Sequence, residues 1–494
     1  MASVKQETVS GVKWGLIQKC TLQPLQFIYG IILARLISPE EFGILGLTAI
    51  FFAVANALAN AGFGSALIRK QDRTEADCST MFWFNWGMSC LMGGILFMLA
   101  PFFADWYHQP ELLWLTRVSA IMMTISSTGN VHWTLYSARR DFKTPAIVGT
   151  SMAILGMPIC ATLAYYGFSI WSVVIANAVT SIVSLVTVWI ISPWKPRFMW
   201  SQTSFKELFG FGSKLAASGL LHTVYSESRT FIIGKFFSPA QLGYYNRGAH
   251  VAAMLPNTLA GMLEGVTYPI LSTLQTENAR LNRVYKKYIQ ITSLPIMWGT
   301  LTLAALASPC VELLYGENWL PAVPYLQVVA LIMSYVHVST INLNLLKVKG
   351  RTDILLYLSI VKKVISIAAL IYAAQFSVMA ICWAALICSQ FDLALNCYFC
   401  GSLINRTWWD QQKDYIPYLF WAAVVNVPSY LLTYSGLPNF AVLALGGFLS
   451  LILYAGVMLL RKDAALQEYW GILMTKPFFR RLLSRLPQRL QPRS

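Results

Sequence analysis

Residues 31–43 read IILARLISPEEFG, and residues 231–243 read FIIGKFFSPAQLG. Both copies run from an apolar stretch through one basic residue to Ser-Pro and then Gly. Arg35 thus answers Lys235, Ser38 answers Ser238, Pro39 answers Pro239 and Gly43 answers Gly243. Pro and Gly are common in short interhelical loops, so resemblance alone does not establish a duplication. The decision rests on where the two copies fall in the order of helices.

Of the 494 residues, 56% are hydrophobic and 12% charged, against roughly 25% charged in an ordinary soluble domain. With a mean hydropathy of +0.55, the chain reads as an integral membrane protein whose useful count is of spans rather than of soluble domains. A bilayer core about 30 Å thick needs about 20 apolar residues in helical form. That criterion places spans near 13–36, 42–66, 80–104, 112–137, 145–166, 170–192, 208–234, 242–273, 288–307, 323–346, 354–374, 378–403, 415–433 and 438–460, fourteen in all.

Basic residues test the count, because they concentrate on the cytoplasmic side. With the N-terminus inside, 27 of the 37 Lys and Arg fall on the two tails and the even-numbered loops, and only Arg35 and Lys235 on the opposite side. The net charge of +16 is therefore a topology signal and does not call for nucleic acid. The tail KPFFRRLLSRLPQRLQPRS interleaves basic and apolar residues, as a segment lying on anionic lipid does; a plain solvated tail has the same composition.

In this order the motif at 31–43 joins spans one and two, and its copy joins spans seven and eight. Six helices separate them, so both hairpins point the same way and the halves are related by an axis along the membrane normal. The expected fold is an all-α polytopic membrane protein. Its fourteen transmembrane helices form two pseudo-symmetric lobes around a central cavity, with both termini inside. Helices 1–6 occupy residues 1–200, helices 7–12 residues 201–410, helices 13 and 14 residues 411–463, and a basic tail residues 464–494.

Eight Lys and Arg remain within spans: Lys13, Lys19, Arg117, Lys214, Arg229, Arg247, Lys362 and Lys363. Three acids accompany them, Glu227, Glu264 and Asp392. A charge near the bilayer centre costs at least about 2.5–3.5 kcal/mol, so these groups should face water, a partner or a ligand. Lys362 and Lys363 follow Asp353 by nine and ten residues, roughly 14–15 Å along a helix rising about 1.5 Å per residue. Lys13 and Lys214 sit near helix ends, where snorkelling also explains them.

Polar residues recur on single helix faces at spacings of three and four. One stripe holds Arg247, His250, Met254, Asn257, Gly261 and Glu264; others hold Lys214, Ser218, His222, Tyr225 and Arg229, Lys19, Gln23, Gln26 and Gly30, and His337, Thr340, Asn344 and Lys347. Such stripes serve either as polar glue between helices or as the wall of an aqueous cavity. A cationic wall suits a pyrophosphate, whose oxygens match the Arg fork and the Lys point charge. The candidate binding set is Lys19, Gln23, Gln26, Lys214, Arg229, Arg247, His250, Asn257, Lys362 and Lys363, with Arg35 and Lys235 at the rim. Glu227, Glu264 and Asp392, the last on the stripe Ser389, Asp392, Asn396, are candidate protonation sites for ion coupling, although structural ion pairing accounts for each equally well.

Nine cysteines are scattered through apolar runs without a disulfide pattern. Cys397 and Cys400 have CxxC spacing but no second pair or nearby His, and read as small packing residues. The N-terminus MASVKQETVSGVKWG lacks a small-residue cleavage site, so the first apolar run is expected to stay. No GxxxxGK[ST], HExxH or nucleophile elbow is visible; the glycine pair Gly62 and Gly64 marks a helix end. Neither a cofactor nor a metal is expected. A membrane enzyme joining sugars would carry a large outer loop, and the longest expected here, around 308–322, is short.

Several segments together resemble the polysaccharide-export flippases of the multidrug/oligosaccharidyl-lipid/polysaccharide exporter superfamily, especially the colanic-acid-exporter-like branch. They are G-V-K-W at 11–14, L-A-R-L-I-S-P-E-E-F-G-I-L at 33–45, G-F-G-S-A-L-I at 62–68, Y-Y-N-R at 244–247 and Y-G-E-N-W at 315–319. The resemblance implies a flippase of the bacterial inner membrane. Such a protein moves an undecaprenyl-diphosphate-linked oligosaccharide to the periplasmic leaflet by alternating access, driven by an ion gradient, for exopolysaccharide, O-antigen or capsule synthesis. It also implies a polymerase and chain-length or export proteins as partners, beside the membrane lipids. The family lends no compact catalytic motif, so the cationic list rests on this sequence. The competing reading, a drug or organic-cation exporter of the same superfamily, would favour an acid-rich cavity.

Overall fold

A computed structural model of the chain describes residues 21–474 apart from 61 and 71; the side chains of 262–266, 268, 269, 352, 356, 470 and 472–474 also lie outside the description. Lys13, Lys19, the segment 11–14 and the basic stretch beyond 474 thus fall outside the described residues. Every described regular element is a helix. The chain divides into two compact units, Met1–Gly243 and Tyr244–Ser494.

The first unit comprises α1 over 21–36, α2 Pro39–Asn60, the short α3 Phe63–Arg69, α4 Glu75–Tyr107, α5 Glu111–Ser126, α6 Asn130–Ala138, α7 Lys143–Tyr165, α8 Ile170–Ile191, α9 Gln202–Phe236 and the opening of α10 Pro239–Thr273. The units follow packing rather than the sequence repeat: α9, which the repeat assigns to the second half, lies against α2, α3 and α4. The second unit holds the rest of α10, then α11 Asn278–Ala305, α12 Ala307–Tyr315, α13 Val323–Met333, α14 Val336–Val348, α15 Thr352–Ala373, α16 Val378–Leu403, α17 Trp408–Leu431, α18 Asn439–Leu460 and α19 Ala464–Met474. Its core gathers Leu281, Tyr285, Ile341, Leu345, Cys397, Cys400 and Tyr415, which places the CxxC cysteines among packing residues.

The duplicated junction is a helix start written in local chemistry. Ser38 caps α2, its amide and its hydroxyl donating to Glu41 Oε2 at 2.9 and 2.8 Å while the Glu41 amide donates back to Ser38 Oγ at 3.4 Å. This reciprocal box satisfies amides that a helix N-terminus leaves unpaired. In the second copy the Gln241 amide donates to Ser238 Oγ at 3.4 Å. Pro39 and Pro239 open α2 and α10, where a missing N–H costs nothing and a fixed φ suits the helix.

The glycines have a different cause. A Cβ on Gly43 would lie 1.8 Å from the Pro239 carbonyl oxygen, and one on Gly243 1.9 Å from the Pro39 carbonyl oxygen and 3.3 Å from the Gly43 nitrogen. Each copy therefore presses its glycine onto the proline carbonyl of the other, within the first unit. Only a residue without a side chain permits that reciprocal approach, and Cα–H groups facing carbonyl oxygens add a weak attraction. Gly62 serves a similar contact: it sits at φ 70° before α3, and a Cβ there would lie 2.3 Å from the Gly212 carbonyl oxygen on α9.

Among the described residues nine helical stretches are long and apolar enough to cross a bilayer, and a tenth if α11 and α12, bent by 73° at their break, count together. The chain is a multi-pass membrane protein. Helices also stand over the described residues of the other four expected spans, but α1, α5 with α6, α9 and α10 are not among the stretches that meet the length and apolar criterion. The reason for α9 is its load of Lys206, Glu207, Lys214, Glu227, Arg229 and Lys235. The expected loop around 308–322 is corrected: it folds as α12 and a 3₁₀ turn Glu317–Ala322. Gly316 turns the chain at φ 95°, and burial of Tyr315 and Trp319 stabilises the segment.

Replacing Gly43 or Gly243 by Ala forces backbone apart, an overpacking cost of about 1–3 kcal/mol. Gly94→Ala and Gly219→Ala, at positions with nothing within 4 Å of the added carbon, are expected to be neutral or stabilising. Thermal midpoints of the four purified variants in one detergent check this order.

Candidate functional site

In the second unit two segments far apart in sequence meet. The ring of Tyr244 stands edge-on to that of Trp319 at 6.0 Å, and Tyr315 lies 5.9 Å from Trp319. Arg247, one turn after Tyr244 on α10, hydrogen-bonds to the Tyr315 side chain and stands beside His250. Close packing makes the meeting possible, since a Cβ on Gly248 would lie 2.9 Å from both the Ala322 oxygen and the Leu326 nitrogen. The guanidinium is half-buried and His250 and Asn257, further along α10, are exposed.

A second cation is held between α15 and α16. Lys362 is 8% exposed, and its Nζ donates to Asn396 Oδ1 at 2.7 Å. Asp392, one turn before Asn396, acts on it electrostatically. The structure thus brings two sequence candidates, Lys362 and Asp392, together, with Asn396, already on the Asp392 stripe, as the direct partner of the ammonium. Lys363 is half-buried and, being the next residue, projects about 100° around the helix from Lys362.

In the first unit Lys214 on α9 is exposed, whereas Glu227 and Arg229 are half-buried. Lys235 closes the helix: its Nζ donates to the Trp106 carbonyl at 3.0 Å and lies 3.8 Å from the Trp106 ring centroid, a cation–π contact. Arg35 is exposed, as is Gln26, while Gln23 is half-buried. Arg117, one of the eight cations within expected spans, faces the Phe97 and Trp114 rings at 4.9 and 5.4 Å. Lys19 and the Glu264 side chain lie outside the described residues. The stripe on α14 is packing glue: His337 Nε2 pairs with Ser293 Oγ at 2.8 Å, and Asn344 donates to Thr267 Oγ1 at 3.0 Å.

Some basic residues that counted only as loop charges are struts. Lys70 bridges Asp77 at 3.1 Å and Glu207 at 2.8 Å, tying the end of α3 to α4 and α9. Arg406 reaches Asp414 at 2.6 Å, with Lys286 at 3.7 Å on the other oxygen.

One cavity of the first unit, of about 490 Å³, is not cationic. It lies in the first unit among α2, α5, α6 and α8 and is walled by Asn56, Asn60, Ser126, Asn130, Asn177 and Ser181 with apolar neighbours. A search for charges at depth misses it. The signal was present in the spacing of Thr48, Phe52, Asn56 and Asn60 along α2, a four-residue stripe.

With this geometry in hand, the comparisons decide the family. Residues 32–324, more than half of the chain, match the family described as "Polysaccharide biosynthesis protein". The chain belongs to that family. Relatives of this polysaccharide biosynthesis protein include the succinoglycan biosynthesis transport protein ExoT of Rhizobium meliloti, 26% identical over 75% of this chain and 76% of ExoT. The teichuronic acid biosynthesis protein TuaB of Bacillus subtilis is 25% identical over 72% and 74%, and the lipopolysaccharide biosynthesis protein WzxC of Escherichia coli 22% over 76% and 77%. In fold the chain is similar to the lipid II flippase MurJ in an inward closed conformation, with a TM-score of 0.70 at 11% identity, covering 91% of this chain and 98% of MurJ. An inward-facing multidrug-resistance transporter follows with a TM-score of 0.62 at 16% identity, covering 79% and 96%.

The Lys362 cluster makes its own prediction. Lys362→Met removes the donor to Asn396 Oδ1 and the positive charge beside Asp392 and destabilises the protein; Asp392→Asn added to it recovers part of the loss. A coupling of about 0.5–3 kcal/mol is expected for neighbours of this kind. Denaturation of the two single variants and the double variant measures it.

Proposed function

We propose that this chain flips a polyisoprenyl-diphosphate-linked oligosaccharide from the cytoplasmic to the periplasmic leaflet of the bacterial inner membrane, by alternating access, for polysaccharide synthesis. The observation that carries the reading is membership of the polysaccharide biosynthesis family over residues 32–324. It is supported by relatives whose names concern succinoglycan transport, teichuronic acid and lipopolysaccharide. The substrate must carry a polar head through a layer where each charge costs kcal/mol, and the chain offers basic groups at depth. Arg229, Arg247 and Lys363 are the principal proposed diphosphate contacts, with Lys19, Gln23, Gln26, Lys214, His250, Asn257 and Lys362 as further candidates. Arg's planar fork binds phosphate oxygens in pairs, and Lys adds a mobile charge.

We read the topology as fourteen helices with both ends inside, on the asymmetry of Lys and Arg between loops. The paired junctions then lie at the outer face, with Arg35 and Lys235 at the rim, and part when the substrate leaves. The process needs no hydrolysis and draws on an ion gradient, with Glu227, Glu264 and Asp392 as candidate coupling groups. A polymerase and chain-length or export proteins consume the product.

Proteoliposomes carrying the undecaprenyl-diphosphate-linked oligosaccharide of the producing cell test the reading. The protein should expose the sugar to membrane-impermeant periodate faster than empty vesicles do, and more so with an imposed proton gradient. Charge reversal at Arg229, Arg247 or Lys363 should reduce the rate at least tenfold while the variants still insert. Equal rates with and without protein would overturn the assignment, and transport of organic cations alone would replace it with drug export.

A further inference from the structure

We propose that the uncharged chamber of the first unit is the seat for the neutral sugar rings of the cargo, separate from the basic groups that meet its diphosphate. This rests on the flippase reading and adds to it a location and a chemical class. The chamber of about 490 Å³ adjoins a second of about 340 Å³ through shared walls at Ser126, Asn130 and Ser181. The second adds Trp133, Thr180 and Ser184. Neither wall contains Lys, Arg, His, Asp or Glu.

That composition selects its ligand. A diphosphate would find no cation, and a hydrocarbon tail would leave the carboxamides of Asn56, Asn60, Asn130 and Asn177 facing apolar surface, which is costly. Sugar hydroxyls both donate and accept, as do carboxamides and side-chain hydroxyls, and the C–H face of a sugar ring packs on an indole.

The amides are fixed in advance. Asn130 Nδ2 donates to Asn60 Oδ1, Asn60 Nδ2 to the Asn56 carbonyl and Asn56 Nδ2 to the Phe52 carbonyl, each at 2.9 Å. Each Nδ2 has two hydrogens, so one such bond leaves the other for a ligand. Groups held in this way lose little freedom when a ligand binds. The combined chamber is in the size range of small-molecule sites, about 300–1,000 Å³, and lies wholly within α2 and α5–α8 of one compact unit.

The test compares two probes on the full-length protein in lipid nanodiscs: undecaprenyl diphosphate bearing the cell's own oligosaccharide, and undecaprenyl diphosphate without sugar. Wild type should bind both, the sugar-bearing lipid more tightly. Asn130→Leu and Trp133→Leu should weaken the sugar-bearing lipid at least tenfold and leave the sugarless lipid within twofold, while Trp133→Tyr, which keeps a stacking face, should recover most of the affinity. Unchanged binding of the sugar-bearing lipid in both Leu variants would overturn the seat and leave the flippase reading standing, as would an equal loss for both probes. Failure of wild type to bind either lipid would overturn both.

Discussion

The arrangement depends on a steric constraint at four residues. Pro39 and Pro239 offer carbonyl oxygens, and Gly43 and Gly243 accept them at a distance no side chain tolerates. Each half of the contact is the other's copy, which gives the sequence a reason to write the junction twice. Ser-Pro with Glu or Gln at the third helical position builds the helix start in each copy. The glycine one turn later lets the two starts touch. Because the contact is backbone on backbone, no change of rotamer relieves a side chain added at either glycine.

Among the described residues the amide-walled chamber of the first unit is kept apart from the basic groups. The basic groups are anchored one at a time: Arg247 by the Tyr315 side chain and Lys362 by Asn396 with Asp392 nearby, both within expected spans, and Lys235 at the rim on the Trp106 ring. The amide-walled chamber carries none of them. In a bilayer this separation has an energetic basis, since an unpartnered charge and an unpartnered amide are both costly but are satisfied by different ligands. A cargo with an anionic link and an uncharged head presents both kinds of partner.

Much of this was legible in the sequence where the cause is local. The apolar runs expected at 42–66, 80–104 and 438–460 stand in helices, since a single run crosses apolar lipid with its backbone satisfied within itself only as a helix, and the repeat was visible because capping and proline chemistry act over four residues. The reason for Gly43 was not legible, since its contact lies about two hundred residues away. The segment 308–322 read as a loop because the anchoring of Trp319 against Tyr244 is tertiary. Depth along α15 identified Lys362, and no spacing rule could supply Asn396 as its acceptor. The neutral chamber escaped because asparagine on a span reads as glue between helices, and an empty volume leaves no mark in a sequence.

The most direct test of the paired junctions is a distance measured while the protein works. Spin labels at the exposed Ser38 and Ser238, on a chain otherwise free of reactive cysteine, report the separation of the two helix starts by double electron–electron resonance. A single short distance in the resting protein, joined by a longer population when the lipid-linked oligosaccharide and an ion gradient are supplied, is the predicted result. A long or broad distance at rest, or a short one unmoved during measured transport, would contradict the account.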